Sequence, residues 1–293
     1  MLEPRTASNG VVILLSPLLR AAGFAHAFST RLGGASAGSF GPLNLQSVQA
    51  NARIPEGGPR DLEAAIVENH ARFALAAGLP PSMGVADVSQ VHGCEVVAAT
   101  EALAARRTAD AITSGPDGPA VLVRIADCVP VLVADPSTGC VAAIHAGWRG
   151  IVSGVVPAAI AALAARGASP ASCVAAIGPC ISAGHFEIGP EVAASLAEAG
   201  LGACVDAPGV HGPKHHADLV RAARMQLVAA GVPERSIDAD PPCTFADPAR
   251  FHSFRRDGAR SGRLAAVIAP ARRASVPPHA SPTGPGSNPR RTR

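Results

Sequence analysis

The stretch AVLVRIADCVPVLVADPSTGCVAAIHAGWRG, Ala120 to Gly150, constrains the fold more than any other part of the chain. It holds apolar runs of strand length punctuated by Asp135-Pro136 and Ser137-Thr138-Gly139, a turn signal between two strands. A turn over Pro136 to Gly139 sets Asp135 against Cys140 and, counting back, Cys128 against Gly147. His145 then lies two residues from Gly147 on the same face, so Cys128 and His145 are diagonal neighbours at roughly 7–8 Å. A slip of one residue would put them on opposite faces.

A thiol and an imidazole on one face can share a borderline-soft metal ion such as zinc. They can also act as a nucleophile and its base. Buried cysteine is equally common as plain core, so spacing alone assigns no site here. Val129-Pro130 and Gly147 are unusual choices for a regular strand end and favour a special backbone there.

Strands are predicted over Val11–Leu15, Phe24–Phe28, Val85–Val91, Glu95–Ala98, Ala120–Ala126, Val129–Ala134, Cys140–His145, Val174–Ile177 and Leu264–Ala269. Helices are predicted over Asp61–Ala77, with Asp61 as cap and Leu62, Ile66 and Phe73 on one face, over Gly150–Ala165 and over Ala217–Ala230. Strands and helices interleave along the chain, which predicts one mixed α/β domain over residues 1–271. From Arg272 to Arg293 the sequence turns to Pro, Ser, Gly, Thr and Arg, which predicts a disordered tail.

With 48% hydrophobic residues in 293, the chain can build a sizeable core and is not disordered as a whole. Its net charge of +3 and eight Phe, one Trp and no Tyr argue against nucleic acid as a partner. No apolar run approaches the ~20 residues of a membrane span. The N-terminus offers an apolar patch and an Ala25-His26-Ala27 cleavage-like site, but Glu3, Pro4, Pro17 and Arg20 break the signal-peptide pattern. Seven cysteines without paired spacing fit a reduced cytoplasm better than a disulfide scaffold.

His92, in SQVHG, sits in a turn before Gly93; a solvated histidine is the ordinary reading of such a position, and metal ligation is the other. No H-x-H pair occurs, which counts against a multicopper cluster. The loop STRLGGASAGSFGPLNL suits an anion held by backbone N–H groups with Arg31 as a bidentate fork, or it is a plain surface loop. Arg149, in HAGWRG, precedes a predicted helix and is a second candidate for an anion or phosphate.

Taken in order, FSTRLGGASAGSFGPLNL, SQVHG, ADAIT, RIADCVPVLVADPSTGCVAAIHAGWRG, AAIGPCI, FEIG and FRRDGARSGR resemble the YfiH/laccase-domain family, whose members have been called polyphenol oxidases, purine nucleoside phosphorylases and peptidoglycan editing factors. The resemblance runs from Val11 to Ala269. It implies a single layered α/β domain with mixed β-sheets and flanking helices, of the CNF/YfiH-like cysteine-hydrolase type. It implies a mononuclear zinc held by His92, Cys128 and His145, with copper disfavoured. The implied activity is phosphate-dependent cleavage of adenosine, inosine and 5′-methylthioadenosine, with adenosine deamination beside it. Purine nucleosides and phosphate are the implied partners, and no oligomeric state follows. Asp127, next to Cys128, is a candidate partner of the ligands or proton carrier, or else a turn residue. Gly33, Gly34 and Asn44 join Arg31 and Arg149 as candidate substrate-binding positions. Three positions depart from the family pattern. Gly184-His185-Phe186 stands where relatives tend to have Cys-Cys-Tyr, Ala223-Arg224 where many have Asn-Arg, and Phe254 where Tyr is frequent. These changes bear on substrate preference and pocket polarity. Two rival readings use other classes: a metal-free cysteine hydrolase with Cys128 as nucleophile and His145 as base, and a non-catalytic partner of a cell-wall or metabolic enzyme.

Overall fold

The computed structural model describes residues 1–271, so the tail reading for residues 272–293 lies outside the described residues. Two six-stranded sheets dominate. The first runs in the order Glu3–Thr6, Val12–Leu15, His26–Ser29, Leu264–Ile268, Ala120–Ile125 and Val85–Ala86. The second runs Ile237–Asp238, Val174–Ile177, Val129–Ala134, Val141–Ala146, Ala111–Ser114 and Val96–Ala98, antiparallel at its centre and parallel at both edges. A small third sheet joins Glu187–Ile188, His215–Ala217 and Val205–Asp206.

Residue alternation along each strand sorts side chains into layers. In the second sheet Val129, Val131 and Val133 pack with Ile160, Leu163 and Leu227 of the helices Val155–Ala165 and Leu219–Ala229. Leu132 and Ala134 instead meet Val121, Val123 and Ala266 of the first sheet. The outer face of the first sheet, with Ile13, Leu122 and Val267, is covered by Leu43 and Leu45 of the preceding loop and by Phe73 of the helix Glu63–Ala76. Helix, sheet, sheet and helix stack in that order, and both faces of both sheets are dry. That is why the central strands read as unbroken apolar runs.

The hairpin register is the one the turn predicts: Val129 pairs with Ala146 and Ala134 with Val141, closed by Asp135 N–H on the Cys140 carbonyl at 2.9 Å. Elsewhere boundaries shift. The predicted strand Val85–Val91 survives only as Val85–Ala86, because the chain leaves the first sheet there to reach the second. The predicted helix Gly150–Ala165 is two helices, Trp148–Val152 and Val155–Ala165, separated by Gly154 at φ +80°. Asp61 does not cap its helix. Its carboxylate instead accepts from Ser36 Oγ at 2.5 Å and Asn44 Nδ2 at 2.9 Å, and Leu62, expected on the buried face, is exposed. The strands Glu3–Thr6 and Ala111–Ser114 have no counterpart in the sequence reading.

The crossings between sheets prepare the site. The chain passes from the first sheet to the second at Ala126–Cys128 and again between Ala86 and Val96. Two non-glycine residues among those described adopt positive φ, Asp127 at 91° and His92 at 64°, one in each crossing. Such backbone persists only where surrounding bonds hold it.

Candidate metal centre

Each member of the His92, Cys128 and His145 group is placed by a different element. Cys128 ends one crossing and, by the hairpin register, stands opposite Gly147. A Cβ at Gly147 would come within 3.1 Å of Cys128 Sγ and 2.9 Å of His92 Cδ2, so only glycine lets the three chains close. His145 lies in the strand Val141–Ala146 and pairs with Pro130. His92 caps the other crossing. The three ligand atoms lie within 4.8 Å of one another. Cys128 Sγ and His92 Nε2 are 3.7 Å apart, and the His92 and His145 rings meet edge to face at 4.8 Å.

One buried carboxylate organises two of the three. Asp110 is fully buried, and its oxygens accept N–H bonds from His92 at 2.9 Å, Gly93 at 2.7 Å and Val91 at 3.2 Å. The same carboxylate meets His145 Nδ1 at 2.7 Å, while the Asp110 carbonyl takes the His145 N–H at 2.7 Å. Burial pushes the Asp110 carboxyl up, but His145 and the loop N–H groups outweigh it and hold it below the ordinary range. Asp110 therefore accounts for the positive φ of His92 and turns His145 Nε2 toward Cys128. Asp110 stands in ADAIT, immediately before the strand Ala111–Ser114, and its position there carried no local signal for this role.

The site is electrostatically polarised. Burial alone would raise the Cys128 thiol, yet His145 and His92 bring it down to about 6. Burial alone would lower His145, yet Cys128 and Asp110 bring it up to about 9. A thiolate beside imidazole is what a cation site needs. The donor set of one sulfur and two imidazole nitrogens fits zinc, for which ideal bond lengths place neighbouring S and N ligands about 3.6 Å apart. Asp110 behind His145 is the carboxylate–histidine arrangement that orients metal ligands.

The group opens into a cavity of ≈ 630 Å³, within the range of about 300–1,000 Å³ typical of small-molecule sites. Val88, Ile181, Phe186 and Phe254 give it apolar surface, and five arginines line it. Asp127 also lines it. Its carboxylate accepts from Thr244 Oγ1 at 2.6 Å and Arg255 N–H at 2.7 Å, while its carbonyl takes the Ile181 N–H at 2.9 Å. These bonds hold the crossing that carries Cys128.

The other candidate residues fall differently. Arg31 does not line the cavity; its guanidinium donates to the carbonyls of Gly41 at 2.7 Å, Pro248 at 3.1 Å and Ser39 at 3.3 Å. The glycine-rich loop turns its carbonyls inward, and Arg31 satisfies them. Arg149 is exposed, stacked 4.4 Å from the ring centre of Trp148, and is also outside the cavity lining. Gly33 and Gly34 are there for close packing: a Cβ at either would run into the carbonyl of Gly10 or of Pro42. Asn44 is buried, donates to Asp61 and accepts the backbone N–H of Arg263 at 2.8 Å, so it supports a cavity residue from behind. Arg53, Arg106, Arg124, Arg255 and Arg263 line the cavity itself; of these only Arg255 drew notice in the sequence, where Arg255-Arg256-Asp257 reads as a surface ion-pair cluster, because the five come from four separate segments.

A family described as multi-copper polyphenol oxidoreductase laccase matches residues 25–271. The chain belongs to this family. A relative in Deinococcus radiodurans named purine nucleoside phosphorylase is 36% identical over 260 residues, 88% of this chain and 94% of that protein. The Shigella flexneri protein named purine nucleoside phosphorylase YfiH is 36% identical over 84% of this chain and 93% of its own length. Among solved structures, Neisseria meningitidis protein NMB0706 aligns with TM-score 0.70 and 32% identity, covering 92% of this chain and 98% of that one. The mixed α/β architecture is thus the family's, and His92, Cys128 and His145 form the one potential metal-ligand group among the described residues of this member.

Proposed function

We propose that this family member is a zinc-dependent purine nucleoside phosphorylase acting on adenosine, inosine and 5′-methylthioadenosine, with adenosine deamination as a side activity. The observation that carries the proposal is the His92, Cys128 and His145 group converging at the wall of a cavity of nucleoside dimensions. The names of the 36% identical relatives support the same reaction class.

The chain's own residues divide the work. Phosphorolysis breaks the N-glycosidic bond and forms a C1′–O–P bond; the proton that hydrogen phosphate gives up on attacking C1′ goes to the departing base, which leaves neutral. His92, Cys128 and His145 would hold the zinc, which would supply Lewis acidity to the reaction. Phe186, Phe254 and Ile181 offer apolar surface to a purine ring. The arginines raise the local concentration of phosphate and hold it in place of water. Asp110 keeps His145 in the tautomer that presents Nε2. Asp127, held by Thr244 and Arg255, positions Cys128. No helix among the described residues is long and apolar enough to cross a membrane. All seven cysteines are free, which supports a reduced, cytoplasmic setting.

The test is hypoxanthine release from inosine by zinc-loaded protein, with and without phosphate, against chelated protein and Cys128→Ala. Phosphate- and zinc-dependent release that vanishes in Cys128→Ala is expected. Full activity in that variant ends the proposal. One observation favours a second reading: without metal, Cys128, His145 and Asp110 stand as nucleophile, base and orienting carboxylate. Amide hydrolysis of a peptidoglycan precursor that is insensitive to chelators and abolished by thiol alkylation would establish the hydrolase instead.

A further inference from the structure

The cavity carries more positive charge than its own acids balance. Five arginines line it against a single carboxylate, Asp127, which is already bonded to Thr244 and Arg255. The arginines are not equivalent. Arg106 and Arg124 share Asp87 at 3.1 and 2.6 Å, so that pair holds one net charge; Nε of each is bonded further, to Ser89 Oγ and the Leu45 carbonyl, and only the buried Nη1 of Arg124 is left without a partner, on a side chain whose charge Asp87 already offsets. Arg53 and Arg255 are exposed, where water satisfies a guanidinium at little cost.

Arg263 is different. It is half-buried, and no carboxylate lies within ion-pair distance of it among the described residues. Its backbone is pinned on both sides, N–H on Asn44 Oδ1 at 2.8 Å and carbonyl accepting the Leu45 N–H at 2.9 Å. Nη1 donates to the carbonyls of Ser261 at 2.9 Å and Gly262 at 3.1 Å, and the guanidinium lies 5.6 Å from the ring centre of Phe254. With Nη1 committed, the Nε–Nη2 edge has no protein partner among the described residues, and Arg263 lines the same cavity as Cys128. A half-buried cation held rigidly by its backbone and Nη1, with one donor edge turned to a cavity, is preorganised to receive an anion there. That edge is the fork which binds tetrahedral oxyanions through two parallel N–H bonds.

We propose that Arg263 is the anchor of an anion subsite in this cavity and that its ligand is inorganic phosphate, the nucleophile of the reaction proposed above. The subsite rests on that reaction for its purpose but not for its existence, since the open edge and the charge imbalance are properties of the cavity. Asn44 is its positioning residue, acting through the Arg263 backbone.

Binding separates the two claims. Inorganic phosphate is titrated into the zinc-loaded full chain by calorimetry, for the wild type, Arg263→Gln and Arg263→Lys, and inosine is titrated in parallel. Phosphate affinity is expected to fall about tenfold or more in Arg263→Gln, the loss of a charge-assisted bidentate contact. Arg263→Lys, which keeps the charge but not the fork, should fall between. Inosine affinity should stay within about threefold in both, which also certifies that the variants fold. Equal phosphate affinity in wild type and Arg263→Gln, or no phosphate binding by the wild type, overturns the subsite. Wild-type phosphate binding that is lost in Arg263→Gln, with no phosphate-dependent hypoxanthine release by any form, upholds the subsite and removes the phosphorylase reading instead.

Discussion

Cys128 and Cys173 are the same side chain in two opposite settings. Cys173 is buried beside the apolar helices, and burial, with the Asp135 and Cys140 charges adding to it, pushes its thiol up to about 12. For Cys128, which is half-buried, desolvation is also the largest single push upward, yet His145 and His92 bring it down to about 6. Burial therefore does not decide the difference. It is whether the fold brings imidazoles to the sulfur, and that depends on two sheet-to-sheet crossings meeting at Gly147. Histidines show the mirror image. His145, facing a thiol and Asp110, is raised to about 9, while His252, buried against the Leu43 carbonyl and Gly262, is lowered by burial to about 3.

The comparison breaks most sharply by deletion. Cys128→Ala should lose stoichiometric zinc and reduce nucleoside cleavage by about a thousandfold or more. Cys173→Ala should keep both zinc and turnover, losing only some thermal stability; metal analysis with the hypoxanthine assay reads both. Loss of zinc from Cys173→Ala would show that the two thiols are not distinct.

Asp110→Asn tests why the imidazole differs. It should weaken zinc about 10–100-fold by removing the carboxylate behind His145, measured by competition with a chromogenic chelator. An unchanged affinity would leave His145 oriented by its backbone alone.

Alkylation sharpens the contrast without mutation. In chelated protein at pH 7, iodoacetamide should modify Cys128 and spare Cys173, with the rate falling as pH drops below about 6. Zinc should protect Cys128. Peptide mapping by mass spectrometry distinguishes the sites.

The smallest effect is the histidine one. His252 has a folded-state pKa below the ordinary 6.5, so in the window from 6.5 down to about 3 the unfolded chain takes up its proton first. The stability it contributes is therefore intact above pH 6.5 and is lost as pH falls through that window. His252→Gln should flatten the acid limb of a Tm-against-pH curve relative to wild type.

Much of this molecule was legible in its chain. Val129–Ala134 and Val141–Ala146 are apolar on both faces, and the Asp135–Gly139 turn leaves one register, so the pairing and the shared face of Cys128 and His145 follow from local rules. Other boundaries were not local. Val85–Val91 has the composition of a strand, but the chain must leave its sheet at Ala86 to carry His92 across. Nothing near Asp61 in sequence shows that Ser36 and Asn44 claim its carboxylate.

What the sequence by itself determined is the strand core, one register and the chemical identity of the three side chains, one thiol and two imidazoles, that converge at the candidate site. Tertiary structure alone decided that Asp110 gathers His92 and His145, that Arg31 and Arg149 stay outside the cavity, and that Arg263 faces it. The physical reason is range. Periodicity and turn chemistry act over a few residues, whereas the buried Asp110 carboxylate is partnered by His145, 35 positions away, and the Arg263 backbone N–H by Asn44, 219 positions away.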